Sequence, residues 1–411
     1  MFSKEASVKK TFALLFCMAL AACSKNSVYS GTDSSFAALS ISSLSLGSLH
    51  SCAVTNHGTF CWGSNAYNEL GDRSFTAQSH PVPMTEVDGF SQLSSGYSYN
   101  CALVSGQIRC WGFNYQAMLG NTSVNSQVTA TCSISSPCDS PVPVAVEQIG
   151  GGGALSGALA VAAGTHHACA ITSSGGVACW GTNYSGELGN GTITSSEVPV
   201  QATGLLSGTT AVAVASGGTT CAITTGGAVM CWGYNLYGQI GDNTTVDKTI
   251  PVAANVLTSG VTAISASANH FCAIQAGAVY CWGQNNIGQL GDGTFTNRHV
   301  PTAVSGLTTG ATALASGGDF TCALVSGAIY CWGYNLYGNL GNGASSTFTN
   351  TPALVIGMGS GVTAIGAGLS HTCAIMGAHV YCWGDNTYGQ LGTGTNISKA
   401  VPMQVVDPIN K

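Results

Sequence analysis

Eighteen cysteines are the side chains of this chain best equipped for covalent chemistry. Fourteen recur in close pairs: Cys52/Cys61, Cys101/Cys110, Cys169/Cys179, Cys221/Cys231, Cys272/Cys281, Cys322/Cys331 and Cys373/Cys382. Cys132 and Cys138 make one more pair in a stretch without counterpart elsewhere. Thiolates nine or ten residues apart do not form the short Cys-x-x-Cys knuckles of structural zinc. An even number at fixed local spacing predicts disulfides, and so an oxidising compartment. His50, His167, His270 and His371 each stand two residues before the first cysteine of a pair, where Tyr99, Thr219 and Phe320 stand elsewhere. One imidazole per repeat does not supply the three or four converging ligands of a metal centre, so these histidines are expected to make structural hydrogen bonds. Asp242-Asn243, Asp292-Gly293 and Asn190-Gly191 read as tight turns, because they lack the oxygen-rich ligand set of calcium loops. Carboxylates are sparse and never close-paired at a repeated position, and no Gly-x-Ser-x-Gly elbow is apparent. No catalytic residue, metal or cofactor is therefore assigned, and the chain reads as a non-enzyme.

The elements that position these residues are repeats. All seven tryptophans, Trp62, Trp111, Trp180, Trp232, Trp282, Trp332 and Trp383, follow a cysteine and open a Trp-Gly-x-Asn segment. Their intervals are 49, 69, 52, 50, 50 and 51 residues. A period of this length marks one supersecondary unit repeated, since a single unit cannot bury its own apolar face. In one unit, Val261 to Ala266, Phe271 to Ile274, Ala278 to Trp282 and Val300 to Val304 read as four short strands, with Gln275-Ala276-Gly277 as a hairpin turn. The hairpin sets Cys272 opposite Cys281, and closing so short a loop is worth nominally ~2.7 kcal/mol. The fourth strand carries a proline, which suits a sheet margin. Seven four-stranded units predict an all-β, seven-bladed propeller. Residues 36–46 have no proline strand before them, so Val401 to Val406 is expected to close the ring by joining the blade of Cys52 and Cys61. The long interval places an insertion at about 121–153, tied by Cys132–Cys138.

These motifs carry a resemblance. Gly-x-x-His-x-Cys-Ala-Ile at Gly368 to Ile375, with Cys-Trp-Gly-x-Asn-x-x-Gly-x-Leu-Gly at Cys382 to Gly392, is similar to the repeat of the regulator of chromosome condensation family. The resemblance spans roughly residues 41–406 and implies a seven-bladed propeller. That family includes a nucleotide-exchange factor, but its inserted wedge is not identifiable here. A second resemblance concerns address. Lys4, Lys9 and Lys10 precede the apolar run Phe12 to Ala22, too short to span a bilayer. Leu20-Ala21-Ala22-Cys23 resembles a bacterial lipoprotein signal, implying a signal peptide over 1–22, lipidated Cys23, a tether over 23–37 and a propeller over 38–407. With Ser24 after the cysteine, the resemblance favours the outer membrane or cell surface.

Only 6% of residues are charged and the net charge is −6. Without Lys4, Lys9, Lys10 and Glu5 the chain keeps 7 basic and 15 acidic residues, a formal −8. That balance removes the main driving term for nucleic-acid binding. Inside the Trp-Gly-x-Asn-x-x segment some positions repeat and others vary. The variable ones are rich in aromatics, which give large contact area at low entropic cost. Phe113, Tyr115, Tyr184, Tyr234, Leu236, Tyr334, Leu336 and Asp385 are expected to share one face and to bind a partner. The sequence thus reads as a monomeric, lipid-anchored, extracytoplasmic propeller that binds an unidentified protein partner through one loop face. Two alternatives stand beside it, a carbohydrate-binding or carbohydrate-active surface protein and a structural envelope component.

Overall fold

The computed structural model describes residues 40–85, 89–122, 139–344 and 346–406, all within the unit Leu39–Lys411. Cys17, Cys23, Cys132 and Cys138 lie outside the described residues, as do the signal, the tether and residues 123–138 of the insertion. Seven four-stranded antiparallel sheets follow one another in chain order. Their first strands are Ile41–Leu46, Gln92–Ser95, Ala160–Ala163, Thr209–Val214, Val261–Ala266, Ala311–Ser316 and Val362–Ala367. Their fourth strands are Gln78–Pro83, Ser140–Ala145, Ser196–Gln201, Lys248–Ala253, Arg298–Ala303, Phe348–Leu354 and Lys399–Gln404. These sheets are blades 1 to 7. The first strands of neighbouring blades touch all the way round, including those of blades 1 and 7, so the ring is closed with the first strands innermost.

Burial follows from face-to-face stacking of blades. A second strand such as His270–Gln275 is covered on both faces and buried over five consecutive residues, which is why its sequence is continuously apolar rather than alternating. Each of seven apolar cores lies between two adjacent blades. Trp282 of blade 5, for example, packs among Val229, Ile240 and Leu257 of blade 4 and its linker. The glycine after each tryptophan has φ between +98° and +106°, at a register shift between the third and fourth strands of every blade. A Cβ at Gly233 would lie 2.3 Å from the Gly218 carbonyl oxygen, so only glycine fits the bulge.

Two expectations are corrected. Lys399–Gln404 pairs with His379–Gly384 inside blade 7, not with the blade of Cys52 and Cys61. Blade 1 already owns the proline strand Gln78–Pro83, because every proline strand is the fourth strand of the blade whose tryptophan precedes it. Closure is made instead by contacts between blades 7 and 1. The Trp62 indole donates to the Gln390 carbonyl (2.8 Å), Ser51 Oγ donates to the same carbonyl (2.9 Å), and the Gly394 N–H donates to the Ser79 carbonyl (2.7 Å). The second correction concerns the stretch 121–153. Ser140–Ala145 within it is the fourth strand of blade 2 and is no insertion.

Candidate functional site

Third strands all end at the same end of the ring, so the loops that follow Trp-Gly share one face with the turns between first and second strands. Backbone bonds tie the two sets together in every blade: the N–H groups of Ser64, Phe113, Thr182, Tyr234, Gln284, Tyr334 and Asp385 donate to the carbonyls of Leu49, Ser98, His166, Gly218, Asn269, Asp319 and Ser370. The asparagine of each segment staples its own loop. Asn235 Oδ1 accepts the Ile240 N–H at 2.9 Å while its Nδ2 donates to the Thr244 and Val246 carbonyls. Oδ1 of the matching asparagine does the same in the other six blades. The repeated residues hold the loop, and the two places after the asparagine are left at least partly exposed in every blade.

Seven of the eight expected contact residues lie on this face at least partly exposed. Tyr184 is 67% exposed, Leu236 57% and Leu336 56%. Phe113, Tyr115, Tyr234 and Tyr334 are half-buried. Asp385 is a correction. It is only 7% exposed, and its carboxylate is consumed by its own loop. Oδ1 accepts from the Thr387 N–H and Oγ1, and Oδ2 accepts from Gln390 Nε2 at 2.9 Å. A short acid in this slot caps the loop instead of reaching out of it.

The aromatics are densest over blades 1 to 3. Ring centroids of Tyr67 and Phe113 are 4.5 Å apart, Phe113 and Tyr115 stack at 6.1 Å, and His166 meets Tyr115 edge-on at 5.7 Å. Gln116 Nε2 donates to the hydroxyls of Tyr184 (2.5 Å) and Tyr115 (3.3 Å), bridging blades 2 and 3. Beyond them lies a cleft of about 350 Å³ lined by Tyr115, Gln116, His166, Tyr184, Glu187 and Gly218, among others. Sequence reasoning misses His166 and Glu187, whereas Tyr67 falls among the variable, aromatic-rich places of the Trp-Gly-x-Asn segment. Glu187 occupies the place before Leu-Gly where blades 4, 5 and 7 carry Gln239, Gln289 and Gln390. Glu69, Met118 and Asn339 also depart from glutamine there, so no sequence signal singles out Glu187.

The four repeated histidines have structural partners. They are buried in the second strands, and each reaches the second strand of the next blade. His50 Nε2 pairs with Asn100 Oδ1 (3.0 Å), His167 with Thr220 (2.8 Å), His270 with Thr321 (2.7 Å) and His371 with Ser51 (2.8 Å). Burial pushes the imidazoles of His167, His270 and His371 down to about 3 and lowers that of His50, so all four are neutral at pH 7. Among the described residues, no three histidine, cysteine or carboxylate side chains converge as a metal site would require.

The cysteine pairs within the blades are disulfides: Cys52–Cys61, Cys101–Cys110, Cys169–Cys179, Cys221–Cys231, Cys272–Cys281, Cys322–Cys331 and Cys373–Cys382. Each joins directly opposed residues of a second and a third strand, with Cα atoms 4.0–4.1 Å apart. Cys110, Cys179, Cys231 and Cys331 on the third strands are fully buried, as are Cys61, Cys281, Cys382 and the seven second-strand partners. Stacked blades cover both faces of the strands that carry them, so these cysteines brace the sheets beneath the loops and present nothing to a ligand. The eighth expected pair, Cys132–Cys138, lies outside the described residues.

Comparison with known proteins gives a consistent result. The RCC1-like domain matches residues 155–411, and the regulator of chromosome condensation (RCC1) repeat matches residues 56–103. The probable E3 ubiquitin-protein ligase HERC4 of Homo sapiens is 34% identical over 92 residues, which is 22% of this chain and 9% of that protein. This chain therefore spans under a tenth of that relative. Human WBSCR16 superposes with a TM-score of 0.72 at 22% identity, over 85% of this chain and 94% of that one. Yeast RCC1 (Prp20) in its complex with Kap60 superposes with a TM-score of 0.70 at 18% identity, over 94% and 92%. At these identities the likeness to the two structures is one of fold.

Proposed function

The chain belongs to the RCC1-repeat family, and from that premise we propose that it is a non-enzymatic binding protein that engages a protein partner through the loop face. Propellers of this kind commonly mediate protein binding, and yeast RCC1 has been solved bound to Kap60. The observation that carries the reading is the set of exposed, clustered aromatic and aliphatic side chains on loops whose structural positions are already filled. Tyr184, Leu236 and Leu336 are each more than half exposed, and apolar groups gathered on one face of a protein mark a contact surface. Tyr234→Ala with Tyr334→Ala is expected to weaken capture of the partner from an envelope extract while leaving the melting temperature nearly unchanged. A fall in melting temperature without loss of capture would assign these tyrosines to packing.

We further propose that the protein works outside the cytoplasm, held by a lipid on Cys23. Seven disulfides support an oxidising compartment. No helix among the described residues is long and apolar enough to cross a membrane. The anchor itself rests on the Leu20-Ala21-Ala22-Cys23 pattern.

A further inference from the structure

We propose that the cleft between blades 2, 3 and 4 receives an arginine side chain of the partner protein, with Glu187 as its counter-ion and Tyr115 and Tyr184 as its aromatic walls. The proposal rests on the loop face being the binding face, and it names one contact within it.

Glu187 has a structural task that does not require its charge. Its Oε2 accepts the Ser185 N–H at 2.9 Å. In blades 4, 5 and 7 the same bond is made by the amide oxygens of Gln239, Gln289 and Gln390, at 2.9, 3.1 and 2.9 Å. A neutral glutamine therefore suffices for the loop. In blade 1, where the position is also acidic, the second oxygen of Glu69 accepts from Ser64 Oγ at 2.9 Å. Blade 3 has Thr182 in place of that serine, and Oε1 of Glu187 lies toward Gly218, where an added Cβ would come within 3.2 Å of it. The backbone of Glu187 is fixed from the other side, since its carbonyl accepts both the Trp232 indole (2.8 Å) and Thr220 Oγ1 (3.1 Å). The result is a carboxylate on a rigid mount at a cleft wall. Burial raises its pKa, the state that a cation placed beside it would relieve.

The rest of the lining selects the same chemistry. Among the described residues no lysine or arginine lines the cleft, and its basic groups are His166 and His167, both held below the ordinary imidazole value by burial and neutral at pH 7. Lys248 and Arg298, which lie on the same face further out, are paired with Asp242 (3.1 Å) and Asp292 (2.7 Å). Gln116 Oε1 is buried and accepts from no donor among the described residues. Gln116 and Ala117 hold φ of +53° and +62°, where blades 3 to 7 have glycine at the second place, so the loop keeps a strained backbone that carries Tyr115 and Gln116 at the cleft. An arginine head donates five N–H bonds, accepts none, and stacks on aromatic faces. It matches a lining of carboxylate and tyrosine rings, with charge complementarity supplied by Glu187.

The test uses N-acetyl-L-arginine amide and its neutral isostere N-acetyl-L-citrulline amide, titrated against the full-length protein by NMR or calorimetry. The arginine derivative should bind the native protein, and Glu187→Gln should weaken it about tenfold, the change that ~1.4 kcal/mol makes. Since glutamine is the residue of three other blades, that variant should keep its fold and melting temperature. Tyr184→Leu should weaken binding independently. Equal binding of the citrulline derivative, an unaffected Glu187→Gln variant, or displacement of the arginine probe by maltotriose would overturn the proposal, the last in favour of a sugar. If Glu187→Gln leaves partner capture intact while Tyr234→Ala with Tyr334→Ala abolishes it, the face binds and the arginine contact is refuted alone.

Discussion

Acidification should loosen this ring between pH 7.5 and 5, well before ordinary carboxylates titrate. The perturbation acts on His167, His270 and His371, which are buried with imidazoles pushed from 6.5 down to about 3. A folded pKa below the unfolded one means that the unfolded chain takes up protons first. Stability from these groups is complete above 6.5 and is lost as pH falls toward 3. At pH 5 each group costs about 2 kcal/mol relative to pH 7.5, and the three together about 6 kcal/mol. Asp139, lifted by burial to about 6, acts in the opposite sense, because the folded state takes up its proton earlier. It is partly exposed, so the offset is at most about 1 kcal/mol. Glu187 and Asp319, raised by burial, act with Asp139, while His50, lowered by burial, acts with the other histidines. The net expectation is a loss on the order of 5 kcal/mol, measured by guanidinium unfolding without reductant at the two pH values. His270→Phe supplies the control, since Phe320 fills the same position in blade 6. That variant should lose about a third of the pH dependence. Equal stability at both pH values in the native protein would refute the reasoning.

Two other outcomes follow from the seam and the signal. Trp62→Phe removes the indole that donates across the junction of blades 7 and 1, and should cost about 1–3 kcal/mol, matching Trp232→Phe between blades 3 and 4. If Trp232→Phe destabilises the protein and Trp62→Phe does not, the clasp does not hold the ring shut. Cys23→Ser should leave an unprocessed precursor when expressed in a diderm bacterium, detected as a higher mass on a denaturing gel, and normal maturation of that variant would remove the lipid anchor.

The blade is almost completely legible in the sequence, because every rigid position recurs seven times. Trp-Gly marks the bulge, Asn the loop staple, and paired cysteines the two central strands. Legibility ends where repetition stops informing. Proline strands recur at the same interval whether they end one blade or begin the next, so periodicity alone leaves their assignment open, and Lys399–Gln404 reads equally well as a strand of blade 1. Cysteine chemistry is likewise visible in spacing while its burial is not. Cys110, Cys179, Cys231 and Cys331 are sealed by the neighbouring blades, and only stacking decides that. Asp385 occupies a variable slot and so reads as a surface group. Its short side chain finds donors in its own loop, a fact of geometry that no spacing reveals. Glu187 is hidden by the opposite effect. It lies within a structural Gly-x-Leu-Gly run, and only its neighbours in space, Tyr115 from one blade and Gly218 from another, make it a cleft residue. The histidines are legible as structural, although their partners in the next blade are not.

Every tryptophan indole donates to a main-chain carbonyl of the blade before it, at Gln390, Glu69, Met118, Glu187, Gln239, Gln289 and Asn339. Because the acceptor is backbone, the joint works whatever side chain stands there, and all seven blades present both the plug and the socket. A blade copied or lost by unequal recombination would leave every remaining joint matched. Side chains beside each socket can therefore change without removing a joint of the ring.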